Sequence, residues 1–148
     1  MKPNTTIAAI TGGTGFVGKH LITALIGSGY QVNALTRRPQ PKTDNINWIE
    51  GDLDNRQSLE QLSQNATIFF HLAGLIKARN EHDFRQVNSK SVETILDVLH
   101  HSAKRPHFVL LSSLAARERH LSAYAESKRH GEEILEKHAQ NIPWTILR

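Results

Sequence analysis

The sequence predicts an α/β fold with a doubly wound parallel sheet, and three observations support this prediction. Short apolar runs alternate with amphipathic helical segments along all 148 residues, as in parallel strands joined by right-handed crossovers. Two runs, TIFFHL and HFVLL, are continuously apolar, as expected of strands covered on both faces. A glycine-rich turn follows the first run. We therefore expect one domain over residues 1–148 with the strand order 3-2-1-4-5-6.

The first half of the chain contains three predicted strands and two predicted helices. Apolar and strand-forming residues predict strands at Thr6–Thr11, Tyr30–Thr36 and Ile46–Glu50. Val17, Leu21 and Leu25 recur at helical spacing. Helices are therefore predicted at Phe16–Ser28 and, with a shorter pattern, at Arg56–Ser63. Two prolines, Pro39 and Pro41, indicate a loop before the third strand.

The second half continues the alternation. Strands are predicted at Thr67–Leu72, His107–Ser112 and Trp144–Leu147. A long helix is predicted over Asp83–His101, because apolar residues follow one of its sides, and a further helix over Leu121–His138.

The composition excludes several classes of protein. Cysteine is absent, so there is no disulfide framework, thiolate nucleophile or cysteine-based zinc site. No apolar run is long enough to span a bilayer. The segment Met1–Thr6 is polar and lacks the apolar core of a signal peptide. We therefore expect a cytoplasmic location and no membrane span.

Charge and histidine patterns argue against nucleic-acid and metal partners. The formal net charge is +4, but the basic residues are spread along the chain, and the densest groups are pairs such as Arg37-Arg38 and Lys128-Arg129. Such scattering is typical of a solvated surface rather than a nucleic-acid interface. The adjacent His100 and His101 face different sides of a helix, and no metal-binding spacing occurs. We expect neither nucleic acid nor metal to bind.

The segment Thr11–Gly18 reads T-G-G-T-G-F-V-G and contains two glycine spacings. G-x-G-x-x-G falls at Gly13, Gly15 and Gly18, and G-x-x-G-x-x-G begins at Gly12. It follows a predicted strand and opens a predicted helix, which is the context required of a dinucleotide-binding turn. The first glycine permits a tight turn, the middle one lets the backbone approach a pyrophosphate, and the last lets the helix pack closely. The predicted contacts, at the helix N-terminus, are Gly12, Gly13, Thr14, Gly15, Phe16, Val17 and Gly18.

The end of the second predicted strand bears on the choice of dinucleotide. An acidic residue there accepts a hydrogen bond from the ribose 2′-OH of NAD, but this strand ends Thr36-Arg37-Arg38. An arginine can hold a 2′-phosphate through paired hydrogen bonds. We predict a preference for NADP(H), with Arg37 and Arg38 at the phosphate. NAD(H) with two solvated arginines is the alternative.

The chain resembles the short-chain dehydrogenase/reductase superfamily, and within it the extended and atypical branches described as NAD(P)-dependent epimerase/dehydratase. The resemblance covers essentially the whole chain and implies a Rossmann fold. It rests on the glycine turn and on five further segments. Gly51-Asp52-Leu53 is similar to the segment that meets the adenine, and His71-Leu72-Ala73-Gly74 to the motif that backs the cofactor. The resemblance therefore adds Asp52, Leu53, Leu72, Ala73 and Gly74 to the cofactor contacts.

The same resemblance implies a catalytic set. Tyr124-Ala-Glu-Ser-Lys128 matches Y-x-x-x-K, Ser113 stands at the end of the fifth strand, and Asn88 lies in the preceding helix. Helical spacing places Tyr124 and Lys128 on one face, where the ammonium stabilises tyrosinate and makes Tyr124 a candidate proton donor and acceptor. Lys128 is also expected to hold the nicotinamide ribose. Ser113, preferred over Ser112, would bond the reacting carbonyl or alcohol, and Asn88 would organise water near Lys128.

Two functions stay open on the sequence alone. One is hydride transfer between a nicotinamide cofactor and a carbonyl or alcohol substrate. The alternative is an atypical member that binds NADP(H) without catalysis, as a sensor or assembly protein. The gap from Ser113 to Tyr124 is short, and Leu114-Ala115-Ala116 lacks the Tyr-Gly common in sugar epimerases. These departures disfavour a nucleotide-sugar substrate, and the sequence leaves the small-molecule substrate unidentified.

The chain ends at Pro143–Arg148, in or just after the sixth predicted strand. In the resembling proteins this segment leads into a substrate-binding portion. We therefore expect residues 1–148 to be the N-terminal part of a longer protein, able to bind a dinucleotide but without useful turnover. The family's usual dimer packs helices that begin near Asp83 and Leu121, so a homodimer is also expected.

Overall fold

The computed structural model describes residues 6–148 and contains six strands and five α-helices. The strands are β1 Ile7–Thr11, β2 Gln31–Thr36, β3 Ile46–Glu50, β4 Ile68–His71, β5 His107–Leu111 and β6 Trp144–Leu147. The helices are α1 Phe16–Gly27, α2 Arg56–Ser63, α3 Glu81–Arg85, α4 Ser91–His100 and α5 Ala123–His138. None of the described helices is both long and apolar enough to cross a membrane.

All six strands are parallel and form one sheet in the order β3-β2-β1-β4-β5-β6. This confirms the predicted fold class and strand order. The order reverses between β1 and β4, and ligands of such sheets bind at the carboxyl ends of the strands at this switch point. The register aligns Thr11 with His71 there.

The long helix predicted over Asp83–His101 is interrupted. Helix α3 leads into a π-helical turn at Gln86–Lys90, and α4 begins at Ser91. The apolar spacing predicted one continuous helix because the interruption is a single turn with α-helical residues on both sides. π-Helical turns are rare and occur frequently at functional sites.

The helix predicted to begin at Leu121 begins at Ala123 instead. The Ser122 side chain accepts a hydrogen bond from the Ala125 backbone N–H at 3.0 Å and so caps the helix. Leu121 belongs to a short 3₁₀ turn before the cap. The fifth strand likewise ends at Leu111, one residue before the predicted Ser112.

Two apolar clusters, one on each face of the sheet, hold the helices in place. One face packs against α2, α4 and α5, with Phe69 and Phe108 fully buried and their rings stacked 5.7 Å apart. The opposite face packs against α1 through Ile22 and Leu25. Burial of large apolar side chains is the main stabilising contribution. It fixes α1 and α5 so that both begin at the carboxyl edge of the sheet.

Candidate functional site

The glycine turn after β1 is shaped by backbone contacts that exclude side chains at two positions. Gly12 has a φ of 74°, and a Cβ atom there would lie 2.7 Å from the Ala73 nitrogen. A Cβ atom at Gly18 would lie 2.2 Å from the Gly12 carbonyl oxygen. These glycines therefore permit the turn and its close contact with α1 and with the loop after β4, as the motif predicts.

Gly15 differs from these two glycines because the space around it is open. Its backbone is extended, and an added Cβ would meet only the Gly12 carbonyl oxygen, at 3.3 Å. Gly15 is the N-cap of α1 and offers no side chain to the first-turn N–H groups. The flanking Thr14, Phe16 and Val17 are exposed, Phe16 by 81%. An open helix N-terminus without a side-chain cap fits an anionic pyrophosphate.

The end of β2 holds two arginines beside the turn. The Thr36 hydroxyl donates to the Arg38 carbonyl oxygen at 2.6 Å, and the Arg38 N–H donates to the Thr36 oxygen at 3.3 Å. Arg37 and Arg38 are exposed, and neither guanidinium forms an ion pair with a carboxylate of residues 6–148. The buried Thr36 thus fixes a turn that presents two free cations.

The segment after β3 contributes Asp52 and Leu53. Asp52 is exposed, and its carboxylate accepts a hydrogen bond from the Asp54 N–H at 3.0 Å. Leu53 packs against the core cluster below. The Asp52 side chain is open to the solvent at the carboxyl edge of the sheet. Its contact with the adenine stays a prediction.

Lys128 lies at the junction of the β4 and β5 ends. Its Nζ donates to the Leu111 carbonyl oxygen at 2.6 Å, and a Cβ atom at Gly74 would lie 3.7 Å from that Nζ. Burial lowers the pKa of Lys128 to about 8, against an opposing effect of the Glu132 carboxylate. The structure therefore brings the predicted Lys128 and Gly74 together beside the strand that leads to Ser113.

Asn88 lies in the π-helical turn and is almost completely buried. Its side-chain oxygen accepts from the Leu75 N–H at 2.8 Å, and its side-chain nitrogen donates to the Leu75 carbonyl oxygen at 3.0 Å. The same nitrogen donates to the Ser127 hydroxyl at 3.0 Å. Asn88 therefore clamps the loop after β4 to α5. Its predicted ordering of water near Lys128 stays a prediction.

The two serines after β5 have different environments. Ser112 is buried, and its hydroxyl donates to the Glu132 carboxylate. Ser113 is partly exposed, and its oxygen accepts from the Ala115 N–H at 3.2 Å. The Ser113 hydroxyl proton stays available to a ligand, which supports the preference for Ser113.

Sequence reasoning missed Glu132, which is completely buried. Arg148 donates to both of its carboxylate oxygens, at 3.0 and 2.6 Å. Burial alone would raise the pKa of Glu132, but the hydrogen bonds from Arg148 and Ser112 hold it below its usual value. Tyr124, Lys128 and Glu132 follow at intervals of four residues, so the sequence carried a signal for a third polar residue on this face of α5.

Tyr124 lies in the first turn of α5 and is partly buried. Its ring contacts that of Phe84 edge to face, with centroids 6.0 Å apart. Tyr124 and Lys128 share one face of the helix, as predicted. The Tyr124 and Lys128 side chains therefore leave α5 one helical turn apart.

Substitution of Lys128 by methionine tests its burial directly. At pH 7 the lysine is protonated in both the folded and unfolded states, and only the folded state buries the charge. We expect Lys128→Met to raise the free energy of unfolding by about 1–2 kcal/mol at pH 7. Above about pH 8 the folded lysine loses its proton before the unfolded one, whose pKa is near 10.5. The difference in the free energy of unfolding between Lys128→Met and the unchanged protein should therefore shrink from pH 7 to pH 10, as measured by urea titration. A difference that stays constant would contradict this.

The fold and the glycine turn define a dinucleotide-binding domain of Rossmann topology, with a polar helix face beside the cofactor end of the sheet. Residues 8–148 match the family described as NAD dependent epimerase/dehydratase. The chain belongs to this family, and its cofactor class is a pyridine nucleotide.

Curated relatives include reductases. The chain is 41% identical over 133 residues to a ceramide reductase of Caulobacter vibrioides. The aligned region covers 87% of this chain and 41% of the reductase. It is also 32% identical over 92 residues to a 4-hydroxy-2-methyl-3-oxo-4-farnesyl-3,4-dihydroquinoline-1-oxide ketoreductase of Stigmatella aurantiaca. That alignment covers 59% of this chain and 28% of the ketoreductase. The chain thus spans less than half the length of both relatives.

A solved structure confirms the fold. UDP-glucuronic acid 4-epimerase from Bacillus cereus, crystallised with NAD, superposes with a TM-score of 0.84 at 22% identity. The match covers 97% of this chain and 55% of that chain.

Proposed function

We propose that this chain is the nucleotide-binding part of an NADP-dependent oxidoreductase that reduces the carbonyl group of an apolar substrate. The observation that carries the proposal is the buried Lys128, which donates to the Leu111 carbonyl oxygen at the end of β5 and lies on the helix face that also holds Tyr124. A charged group is buried at a free-energy cost, and such groups occur preferentially at functional sites. The ceramide reductase likeness supports reduction over epimerisation.

The residues of this chain would act in three ways. The N-terminus of α1 would bind the pyrophosphate, with Gly15 leaving the space for it. Lys128 would donate to the ribose hydroxyl groups, and Ser113 would donate to the substrate carbonyl oxygen. When bound, the reduced nicotinamide supplies a hydride to the carbonyl carbon and is thereby oxidised.

Tyr124 would complete the reaction. Its hydroxyl would give a proton to the carbonyl oxygen as the carbon accepts the hydride, so that the product is an alcohol. The solvent would then return a proton to the Tyr124 oxygen.

The side chains that flank the catalytic residues support an apolar substrate. Leu114 directly follows Ser113 and is 62% exposed, and Leu121 lies three residues before Tyr124 and is 71% exposed. Ile76, next to the clamped Leu75, is 78% exposed. A nucleotide-sugar site would place hydrogen-bonding groups here, whereas these positions offer apolar contacts to a long-chain or polycyclic substrate. The two relatives act on a ceramide and on a farnesylated quinoline by their names.

The preference for NADP is tested by Arg37→Ala. Loss of a charge-assisted contact to the 2′-phosphate should weaken NADPH binding by about 10- to 100-fold. NADH has no 2′-phosphate, so its affinity should change by less than about twofold. Calorimetric titration of both nucleotides measures the difference.

Arg105→Ala provides the matched control. Arg105 is also exposed, but it precedes β5 and so lies at the opposite edge of the sheet. It should leave both affinities unchanged. Equal weakening of NADPH and NADH by Arg37→Ala would show that Arg37 does not select the 2′-phosphate.

A further inference from the structure

His71, at the end of β4, is buried and uses both of its ring nitrogens. Nδ1 lies 2.7 Å from the Thr11 hydroxyl oxygen, and Nε2 lies 2.9 Å from the Ser91 hydroxyl oxygen. Thr11 ends β1 just before the glycine turn, and Ser91 begins α4 just after the π-helical turn. One imidazole therefore joins two elements that reach the candidate site from different directions.

The Ser91 end of this hydrogen-bond series fixes which ring nitrogen of His71 carries the proton. The Ser91 hydroxyl donates to the Val87 carbonyl oxygen at 2.6 Å, and a carbonyl can only accept. The single Ser91 proton is thus used, so Nε2 of His71 must carry a proton and donate it to Ser91. At the other end, the Ala73 N–H donates to the Thr11 oxygen at 3.3 Å. The Thr11 proton then goes to a bare Nδ1.

A neutral imidazole with its proton on Nε2 satisfies every donor and acceptor of this hydrogen-bond series. A proton on Nδ1 would face the Thr11 oxygen and leave the Thr11 hydroxyl proton without its acceptor. Burial, with the nearby Lys128 ammonium, lowers the pKa of His71 to about 3. Lys128 is the charged group that acts on the ring from α5. The ring thus connects its neighbours without titrating near neutral pH.

The hydrogen bonds through His71 and the side chain of Asn88 hold the Ala73–Leu75 loop from both sides. Thr11 binds Ala73, and Asn88 binds both backbone groups of Leu75, so Gly74 lies between two anchored residues. Val87 and Asn88 are neighbours in the π-helical turn, which closes the connections into a ring. The same loop contacts the glycine turn, since a Cβ atom at Gly12 would lie 2.7 Å from the Ala73 nitrogen.

We propose that His71 is a positioning residue that holds the glycine turn, the Ala73–Leu75 loop and the π-helical turn in one arrangement through this one-way hydrogen-bond chain. Its effect on nucleotide affinity rests on the proposed function, because the loop is expected to back the cofactor. Its proton arrangement belongs to the protein alone and can be measured without nucleotide.

The first test is ¹⁵N NMR of the histidine side chains in the nucleotide-free chain at pH 7, with His71 assigned by its loss in His71→Gln. We expect a neutral ring with the proton on Nε2. Observation of the Nδ1–H tautomer or of a protonated ring would overturn the inference, whether or not nucleotide binds.

The second test compares two buried serines of the same helical segment. Ser91→Ala removes the acceptor of His71, whereas Ser89→Ala removes a hydroxyl that donates to the Ser127 carbonyl oxygen at 2.9 Å. Each variant loses one buried hydrogen bond to a backbone carbonyl. We expect only Ser91→Ala to mix the two His71 tautomers and to weaken NADPH binding, by about three- to tenfold.

Equal effects of the two serine variants on affinity and on the His71 signal would overturn the positioning role and reduce it to general stability. Absence of NADPH binding by the unchanged chain, together with an intact Nε2–H signal, would instead overturn the proposed function.

Discussion

Replacement of Gly15 by valine is expected to abolish dinucleotide binding while the domain stays folded. The extended backbone of Gly15 accepts any residue, and the nearest atom to an added Cβ is the Gly12 carbonyl oxygen at 3.3 Å. The side chain would therefore point into the space before the N-terminus of α1, where the pyrophosphate is expected. Loss of two charge-assisted hydrogen bonds, at about 1.5–3 kcal/mol each, weakens binding by at least about 100-fold. Calorimetric titration with NADPH measures this loss.

Two other glycines serve as controls for this experiment. Gly27 ends α1, and an added Cβ there meets no atom within 4 Å, so Gly27→Ala should leave binding unchanged. Gly18→Ala should lower the thermal stability instead, because its Cβ would collide with the Gly12 carbonyl oxygen. A folded Gly15→Val variant that keeps its NADPH affinity would show that the glycine turn does not bind the pyrophosphate.

In any form of this protein that oxidises NADPH with a carbonyl substrate, Tyr124→Phe is expected to lower kcat by about 10²- to 10⁴-fold. The variant loses the hydroxyl that would protonate the carbonyl oxygen. It keeps the ring volume and the edge-to-face contact with Phe84. Nucleotide affinity should change by less than about threefold, and absorbance of NADPH together with calorimetry separates the two effects.

Tyr30→Phe is the matched control, because the chain contains only two tyrosines. Tyr30 packs against the cluster beneath α1, and removal of its hydroxyl should leave kcat unchanged. A Tyr124→Phe protein that reacts at the parent rate would favour the alternative function, a non-catalytic dinucleotide sensor.

The sequence was sufficient to predict the strands and the glycine turn because both depend on local patterns. Apolar runs of fixed length identify the parallel strands, and Gly12, Gly15 and Gly18 recur at intervals set by one tight turn and one helical turn. The strict alternation of strands and helices then leaves few topologies. Family resemblance supplied the candidate catalytic residues.

Features that depend on contacts between distant segments could not be predicted in the same way. The environment of Ser112 depends on Glu132, which lies on another element and accepts the Ser112 hydroxyl proton. The π-helical turn spans only Gln86–Lys90 within a longer helical segment, so its effect on Asn88 is visible only in three dimensions. The depressed pKa of Lys128 likewise follows from burial, which composition and spacing do not reveal.

We infer that the chain binds a pyridine dinucleotide at the N-terminus of α1 and recognises its 2′-phosphate with Arg37. Parallel calorimetric titrations of the unchanged chain with NADPH and with NADH, at one ionic strength, test it most directly. We predict saturable one-to-one binding of both nucleotides, with NADPH bound at least about tenfold more tightly. Binding of neither nucleotide, or tighter binding of NADH, would contradict the account.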